Sequence, residues 1–230
     1  MTLLNLILAQ ASPATAQTAQ AAATDESLWS LTLKGGWIMI PLALLLIVSI
    51  YIFFERSIVT NRVAREDKGF MQQIRDHIRA GRIDEAKSLC ENANTPYSRM
   101  IEKGVSRIGR SMNDVLVAVE NVGNMEIARL EKGFSWLATT AAGAPMIGFL
   151  GTVTGMVRAF MALSKAGTSA NVTILSQGIY EALVTTVAGL VVGIVALFAY
   201  NYLTSRVKKV MNKLERNAME FMDLLNEPAK

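Results

Sequence analysis

The sequence has little of the chemistry on which most enzymes and metalloproteins depend. It contains one cysteine, Cys90, and one histidine, His77, in 230 residues. A single cysteine excludes an intramolecular disulfide and a cysteine metal cluster. Nucleophile-elbow, phosphate-loop and metal-ligand motifs are also missing. We therefore expect a protein that is not an enzyme and that has no catalytic residue, no metal site and no cofactor.

Charged residues are missing from long parts of the chain, although hydrophobic residues make up 51% of it. No charge lies between Lys132 and Arg158, or from Ala182 to Ser205. A helix as long as either of these charge-free stretches can cross a hydrocarbon core of about 30 Å. We predict an all-α membrane protein with three transmembrane helices, at residues 37–54, 133–163 and 178–203. The second and third are expected to extend into a helical cytoplasmic domain.

The distribution of basic residues predicts the orientation. Residues 55–132 carry fourteen Lys and Arg, the tail after Tyr202 carries six, and the connection 164–177 carries only Lys165. Because basic loops stay in the cytoplasm, residues 55–132 and 204–230 are predicted to be a cytoplasmic helical domain and a cytoplasmic C-terminal helix. Residues 1–36 and 164–177 then form a periplasmic N-terminal arm and a periplasmic loop. Acidic residues are interleaved with the basic ones, which argues against nucleic-acid binding.

The N-terminal segment admits two interpretations. Its apolar run, residues 3–9, followed by Ala-Gln-Ala, is similar to a signal peptide, but it has no basic residues before that run. We favour an uncleaved, flexible arm rich in Ala, Thr and Gln, because such a composition buries too little apolar surface to fold alone.

Helix breaks are predicted in the cytoplasmic domain at Gly81 and near Thr95-Pro96. No proline lies between Pro96 and Pro145, so a helix from about Val115 is expected to continue through Lys132 into the second span. An apolar stripe in the tail predicts that the third helix packs against neighbouring helices. Its members are Val207, Val210, Met211, Leu214, Ala218, Phe221, Met222 and Leu225.

Glu181 is the ionisable residue inside the third span. A carboxylate at the centre of a membrane helix costs about 2.5–3.5 kcal/mol, so it requires a partner or a function. Glu181, Thr185, Gly189 and Gly193 share one helical face, with Thr186 beside them. The alternatives are an interfacial carboxylate at a helix N-terminus and threonines that bond to their own helix.

The second span combines small residues with hydroxyls. Thr152 lies four residues after Gly148, and Gly151-xxx-Gly155 matches the pattern by which membrane helices approach closely, as Gly189-xxx-Gly193 does. Pro145 can bend the helix. Arg158 is expected to extend to the interface rather than to pair with Glu181.

The segments APMIGFLGTVTGM and IYEALVTTVAGLVVGI resemble motifs of the MotA/TolQ/ExbB proton channel family, most closely its ExbB/TolQ branch. The resemblance implies that Thr152, Glu181 and Thr186 are polar pore residues. It also implies that Pro145, Gly148, Gly151 and Gly155 shape the second helix. Thr185 adds a hydroxyl beside Thr186, and Gly189 and Gly193 are expected to pack against other helices.

The resemblance also implies an assembly. Five copies surround a partner of the ExbD or TolR type, whose single span bears a protonatable aspartate, in the inner membrane. Proton passage then drives a motor that energises outer-membrane import through a TonB-like protein. The alternatives are a TolQ-type subunit that maintains the envelope through a TolA-like protein, and a non-conducting membrane scaffold.

Overall fold

The computed structural model describes residues 35–64, 69–166 and 172–226, and within these ranges it contains α-helices and no strand. The helices are α1 (Met39–Ala64), α2 (Phe70–Arg79), α3 (Ile83–Ala93), α4 (Pro96–Val105), α5 (Met112–Leu130), α6 (Phe134–Ala166) and α7 (Val172–Asn226). The predicted all-α fold is confirmed.

Three of these helices are long and apolar enough to cross a membrane. The candidate spans are Met39–Val63, Phe134–Lys165 and Leu175–Asn226. Large apolar side chains on them are exposed, among them Ile40, Phe149 and Phe198. Helices can cross lipid because they satisfy their backbone hydrogen bonds internally. The protein is therefore a multi-pass membrane protein, as predicted.

The chain divides into two compact units, and α1, α6 and α7 contribute residues to both. We call the first the seam unit, with described residues 35–43, 144–166 and 172–191. We call the second the core unit, with described residues 44–64, 69–143 and 192–226.

The core unit is built around large apolar side chains. Ile74, Met100, Ile101, Leu203 and Phe221 are all nearly inaccessible to solvent and belong to one cluster. The predicted stripe of α7 is confirmed, since most of its members are buried there. The buried ones are Val207, Val210, Leu214, Ala218, Phe221 and Met222.

Both predicted helix breaks of the core unit are found. Gly81, between α2 and α3, has φ +71°, a conformation that glycine adopts without strain. Asn94 ends α3 in a left-handed conformation. Thr95 then begins α4 with a capping box, in which the Ser98 N–H donates to Thr95 Oγ1 at 3.0 Å and Pro96 takes the first helical position.

A buried carboxylate ties these short helices together. Glu126 on α5 accepts two bonds from Arg99 on α4, at 3.0 and 2.6 Å, and one from Arg129 at 2.5 Å. Arg99 also donates to the Asn94 carbonyl at 3.0 Å. The bidentate geometry compensates the desolvation of Glu126.

The prediction that α5 continues into the second span is wrong. α5 ends at Leu130 and α6 begins at Phe134, because Gly133 adopts φ +92° and the Phe134 N–H donates to the Glu131 carbonyl at 3.0 Å. The third helix does run from its span into the tail without interruption, as α7. α1 is longer than its predicted span, and α6 and α7 extend into the predicted connection 164–177. The first 34 residues lie outside the described residues.

Candidate functional site

Two helix backbones approach closely in the seam unit, at Gly148 on α6 and Gly189 on α7. A Cβ atom built on Gly148 would lie 2.8 Å from the Thr185 carbonyl oxygen and 3.1 Å from Gly189 Cα. One built on Gly189 would lie 2.6 Å from the Ala144 carbonyl oxygen. No real side chain fits at such distances from backbone atoms, so only glycine allows this contact.

The close contact continues along both helices. A Cβ on Gly155 would lie 2.9 Å from Ala182 Cβ and 3.4 Å from the Gly178 carbonyl oxygen. One on Gly151 would overlap the Thr185 side chain. We call this line of contacts the glycine seam. Its members are Ala144, Gly148, Gly151, Gly155 and Ala159 on α6, and Gly178, Ala182, Thr185 and Gly189 on α7.

Thr185 and Thr186 both reach the α6 backbone at the seam. Thr186 Oγ1 donates to the Gly148 carbonyl at 3.1 Å, and the buried Thr185 hydroxyl lies 3.4 Å from the same oxygen. Thr185 Oγ1 also donates to the Ala182 carbonyl of its own helix at 2.7 Å. The back-bonded alternative is therefore present for Thr185, whereas Thr186 bonds across the helix pair.

Thr152 lies apart from that pair of threonines. Its hydroxyl donates to the Phe149 carbonyl of its own helix at 2.6 Å. It lines a shallow apolar groove on α6 with Val153, Met156 and Val157. No hydrogen bond among the described residues joins Thr152 to Glu181 or Thr186, so a single chain does not connect the three predicted pore residues.

Glu181 is half-buried, one helical turn before Thr185. Among the described residues its carboxylate makes no hydrogen bond and no ion pair. Arg158 is exposed and likewise makes no ion pair there with Glu181, and its extension to the interface stays a prediction. Gly36 lies close to the carboxylate, because a Cβ built on Gly36 would lie 2.5 Å from Glu181 Oε1.

The remaining predicted packing residues are Pro145 and Gly193. Pro145 is inside α6, where it cannot donate the backbone hydrogen bond of a regular helix. Gly193 is buried but belongs to the core unit. Within the described parts of the chain, no group of three or more His, Cys, Asp or Glu residues is arranged to hold a metal ion.

Sequence reasoning missed several members of this site. Ala144, Ala159, Gly178 and Ala182 complete the seam, and the recurrence of small residues every three or four positions on both helices could have revealed them. Gly36 could not have been found this way, because its neighbour Glu181 is distant in sequence.

Comparison with known proteins gives concordant results. Residues 92–216 match the MotA/TolQ/ExbB proton channel family. The biopolymer transport protein ExbB-like 1 of Synechocystis sp. is 35% identical over 78% of this chain and 72% of its own length. TolQ of the Tol-Pal system of Haemophilus influenzae is 42% identical over 46% of either chain. ExbB of Salmonella typhimurium is 28% identical over 80% of either chain. The seam of small residues between two apolar helices and the carboxylate within the span agree with these matches. The chain belongs to the MotA/TolQ/ExbB proton channel family.

Proposed function

We propose that this chain is the proton-channel and stator subunit of a motor in the bacterial inner membrane, driven by the proton motive force. The proposed motor is of the ExbB–ExbD type and energises outer-membrane import through a TonB-like protein. Five copies surround a single-span partner of the ExbD or TolR type. The coupling ion is the proton, and the subunit itself catalyses no reaction.

The observation that carries this proposal is the unpaired carboxylate of Glu181. An ionisable side chain within an apolar helix is costly, and a purely structural carboxylate would be expected to hold a partner, as Glu126 does in the core unit. Because Glu181 holds none among the described residues, its oxygens remain available to accept a proton and to release it.

The threonines supply further polar atoms for such a path. Thr185 and Thr186 each donate to a backbone carbonyl, so their oxygen lone pairs can still accept a hydrogen bond. Thr152 is half-buried and bonds to its own helix. We propose that this hydroxyl completes the path in the assembled complex, where a neighbouring subunit or the partner meets α6.

The proposed orientation follows from charge. The basic excess of residues 55–132 and of the tail favours the cytoplasm for both segments. The N-terminus and the connection between α6 and α7 then face the periplasm.

Proton flux in reconstituted vesicles tests the proposal. The chain is co-expressed with a single-span partner that bears an aspartate, and the complex is reconstituted with a pH-sensitive dye inside the vesicles. We expect Glu181→Gln to abolish flux and Thr186→Val to reduce it strongly, while native mass spectrometry still finds the assembled complex. Thr154→Val is the matched control, because Thr154 bonds only to carbonyls of its own helix. Normal flux in both Glu181→Gln and Thr186→Val would refute the pore assignment.

A TolQ-type role is the second candidate, and it is favoured by the 42% identity to a TolQ protein. Complementation separates the two roles. An ExbB-type subunit restores import in a strain that lacks its own, and a TolQ-type subunit restores envelope integrity. A non-conducting scaffold would restore neither in a proton-dependent manner.

A further inference from the structure

A two-glycine turn precedes α1. The Met39 N–H donates to the Gly36 carbonyl at 3.2 Å, and the Ile40 N–H donates to the Trp37 carbonyl at 3.2 Å, so the turn leads directly into the helix. Gly36 has φ +67°, a conformation that residues with side chains rarely adopt. Gly35, by contrast, is buried.

The turn lies against the Glu181 carboxylate. A Cβ on Gly36 would be 2.5 Å from Glu181 Oε1 and 3.6 Å from its Cδ. A methyl group at that position would overlap the carboxylate oxygen, because non-bonded carbon and oxygen atoms rarely approach within about 3.3 Å. The backbone conformation favours glycine at position 36, and a methyl group there would force the Glu181 side chain to shift.

The same turn also meets Thr185. A Cβ built on Gly35 would lie 3.5 Å from Thr185 Cγ2, an ordinary contact. Glu181 and Thr185 are one turn apart on α7, so the two glycines lie along the side of α7 that carries both polar residues. Gly36 offers the carboxylate a surface without a side chain. No described backbone N–H donates to the carboxylate there, so the turn approaches the carboxylate and leaves its oxygens free to bind a proton.

We propose that the Gly35–Gly36 turn is a positioning element that restricts the Glu181 side chain to the rotamer from which it exchanges protons. This inference rests on the proposed function, since it assumes that Glu181 carries the proton. Gly36 acts through Glu181 and is a positioning residue. A side chain at position 36 displaces the carboxylate by about the length of one bond.

The test compares proton flux in the reconstituted complex for Gly36→Ala, Glu181→Asp, the double variant and Glu181→Gln. Misplacing a reacting group by about 1 Å can slow a reaction by about a hundredfold, so we expect Gly36→Ala to lose ten- to a hundredfold in flux. Asp is shorter than Glu by one methylene and withdraws from the added methyl group. Gly36→Ala should therefore cost less flux in the Glu181→Asp background than in the native chain.

Gly81→Ala is the matched control. Gly81 has φ +71°, close to that of Gly36, but a Cβ there meets no atom within 4 Å. This substitution imposes the same backbone strain without touching a carboxylate, and we expect it to leave flux unchanged. Assembly is checked for every variant by native mass spectrometry.

The outcomes separate the two proposals. If Glu181→Gln abolishes flux and Gly36→Ala conducts normally, the positioning role is wrong while the proton path stands. If Gly36→Ala costs as much flux in the Glu181→Asp background as in the native chain, or neither Gly36→Ala nor the double variant assembles, the turn serves folding alone and the inference is overturned. Assembly of the double variant when Gly36→Ala fails to assemble would support the direct contact. Normal flux in Glu181→Gln would overturn both proposals.

Discussion

The seam unit and the core unit are stabilised by opposite kinds of contact. In the seam unit, Gly148 and Gly189 bring two backbones together while Phe149 and Phe160 remain exposed. In the core unit, large side chains such as Phe221 are fully buried.

The difference is clearest between the seam helices and the short helices α2 to α5 of the core unit. Lipid is as apolar as a leucine side chain, so burying leucine or phenylalanine between membrane helices gains little, and close packing of small residues holds them together instead. Water supplies the hydrophobic driving force for packing the short, polar-faced helices α2 to α5, although the core unit also holds parts of all three spans. The unpaired carboxylate and the interhelical threonine bond lie in the seam unit, where small residues let hydroxyls reach a neighbouring backbone.

Phe221→Ala should show the largest effect on stability. Phe221 is completely buried, and a Cβ added to Gly104 would overlap its ring. We expect the substitution to cost about 3–5 kcal/mol in the free energy of unfolding. Met219→Ala is the control, because Met219 is 66% exposed and should change that free energy by less than about 0.5 kcal/mol. Thermal unfolding in detergent, followed by circular dichroism, measures both, and equal shifts would show that the core unit does not depend on burial.

Gly148→Ala should change the free energy of unfolding by less than Phe221→Ala does. Its effect should be opposite in sign to that of the control Gly143→Ala. Its new methyl group meets three backbone atoms that cannot move independently, and we expect a loss of about 1–3 kcal/mol. Gly143, also in α6, has nothing within 4 Å of an added Cβ, so Gly143→Ala should stabilise the helix by about 0.5–1 kcal/mol. The same melting experiment decides, and a shift of equal sign in both variants would contradict the close contact at the seam.

The smallest effect on stability at neutral pH is expected for Cys90, whose thiol is buried in the core unit. Burial, aided by the charges of Glu102 and Glu91, raises the pKa of Cys90 from 9.0 to about 12. Below pH 9 the thiol is protonated in the folded and the unfolded chain alike. As the pH rises from 9 toward 12 only the unfolded thiol ionises, so the contribution of Cys90 to stability is lost over that range.

Alkylation by iodoacetamide at pH 9 measures this protection, because the thiolate is the reactive form. We expect Cys90 to react about a hundredfold more slowly in the folded protein than in denaturant. Similar rates in both states would show that the core unit opens to solvent around Cys90.

The three spans could be predicted because they depend on composition along the chain. A charge-free stretch such as 182–205 has few alternatives to a membrane helix. The stripe of α7 and the breaks at Gly81 and Thr95 were equally local signals. The end of α5 was missed because Gly133 was not considered as a helix terminator, although glycine commonly ends helices in this way.

The candidate site was predicted only in part. Glu181 and Thr186 could be named from the sequence because a carboxylate and a hydroxyl in an apolar helix are conspicuous, and their pore roles remain predictions. The seam partners Ala182 and Ala159 were not foreseen, although the recurrence of small residues every three or four positions on both helices indicates them.

The sequence by itself determined that the chain crosses the membrane with three helices, because apolar length and charge distribution act locally along each segment. Only the tertiary structure decided which small residues meet across α6 and α7, that Glu181 has Gly36 and not Arg158 beside it, and that Glu126 is held by two arginines. These pairings join residues far apart in the chain, and they depend on how the helices are placed in space. No local pattern encodes that placement.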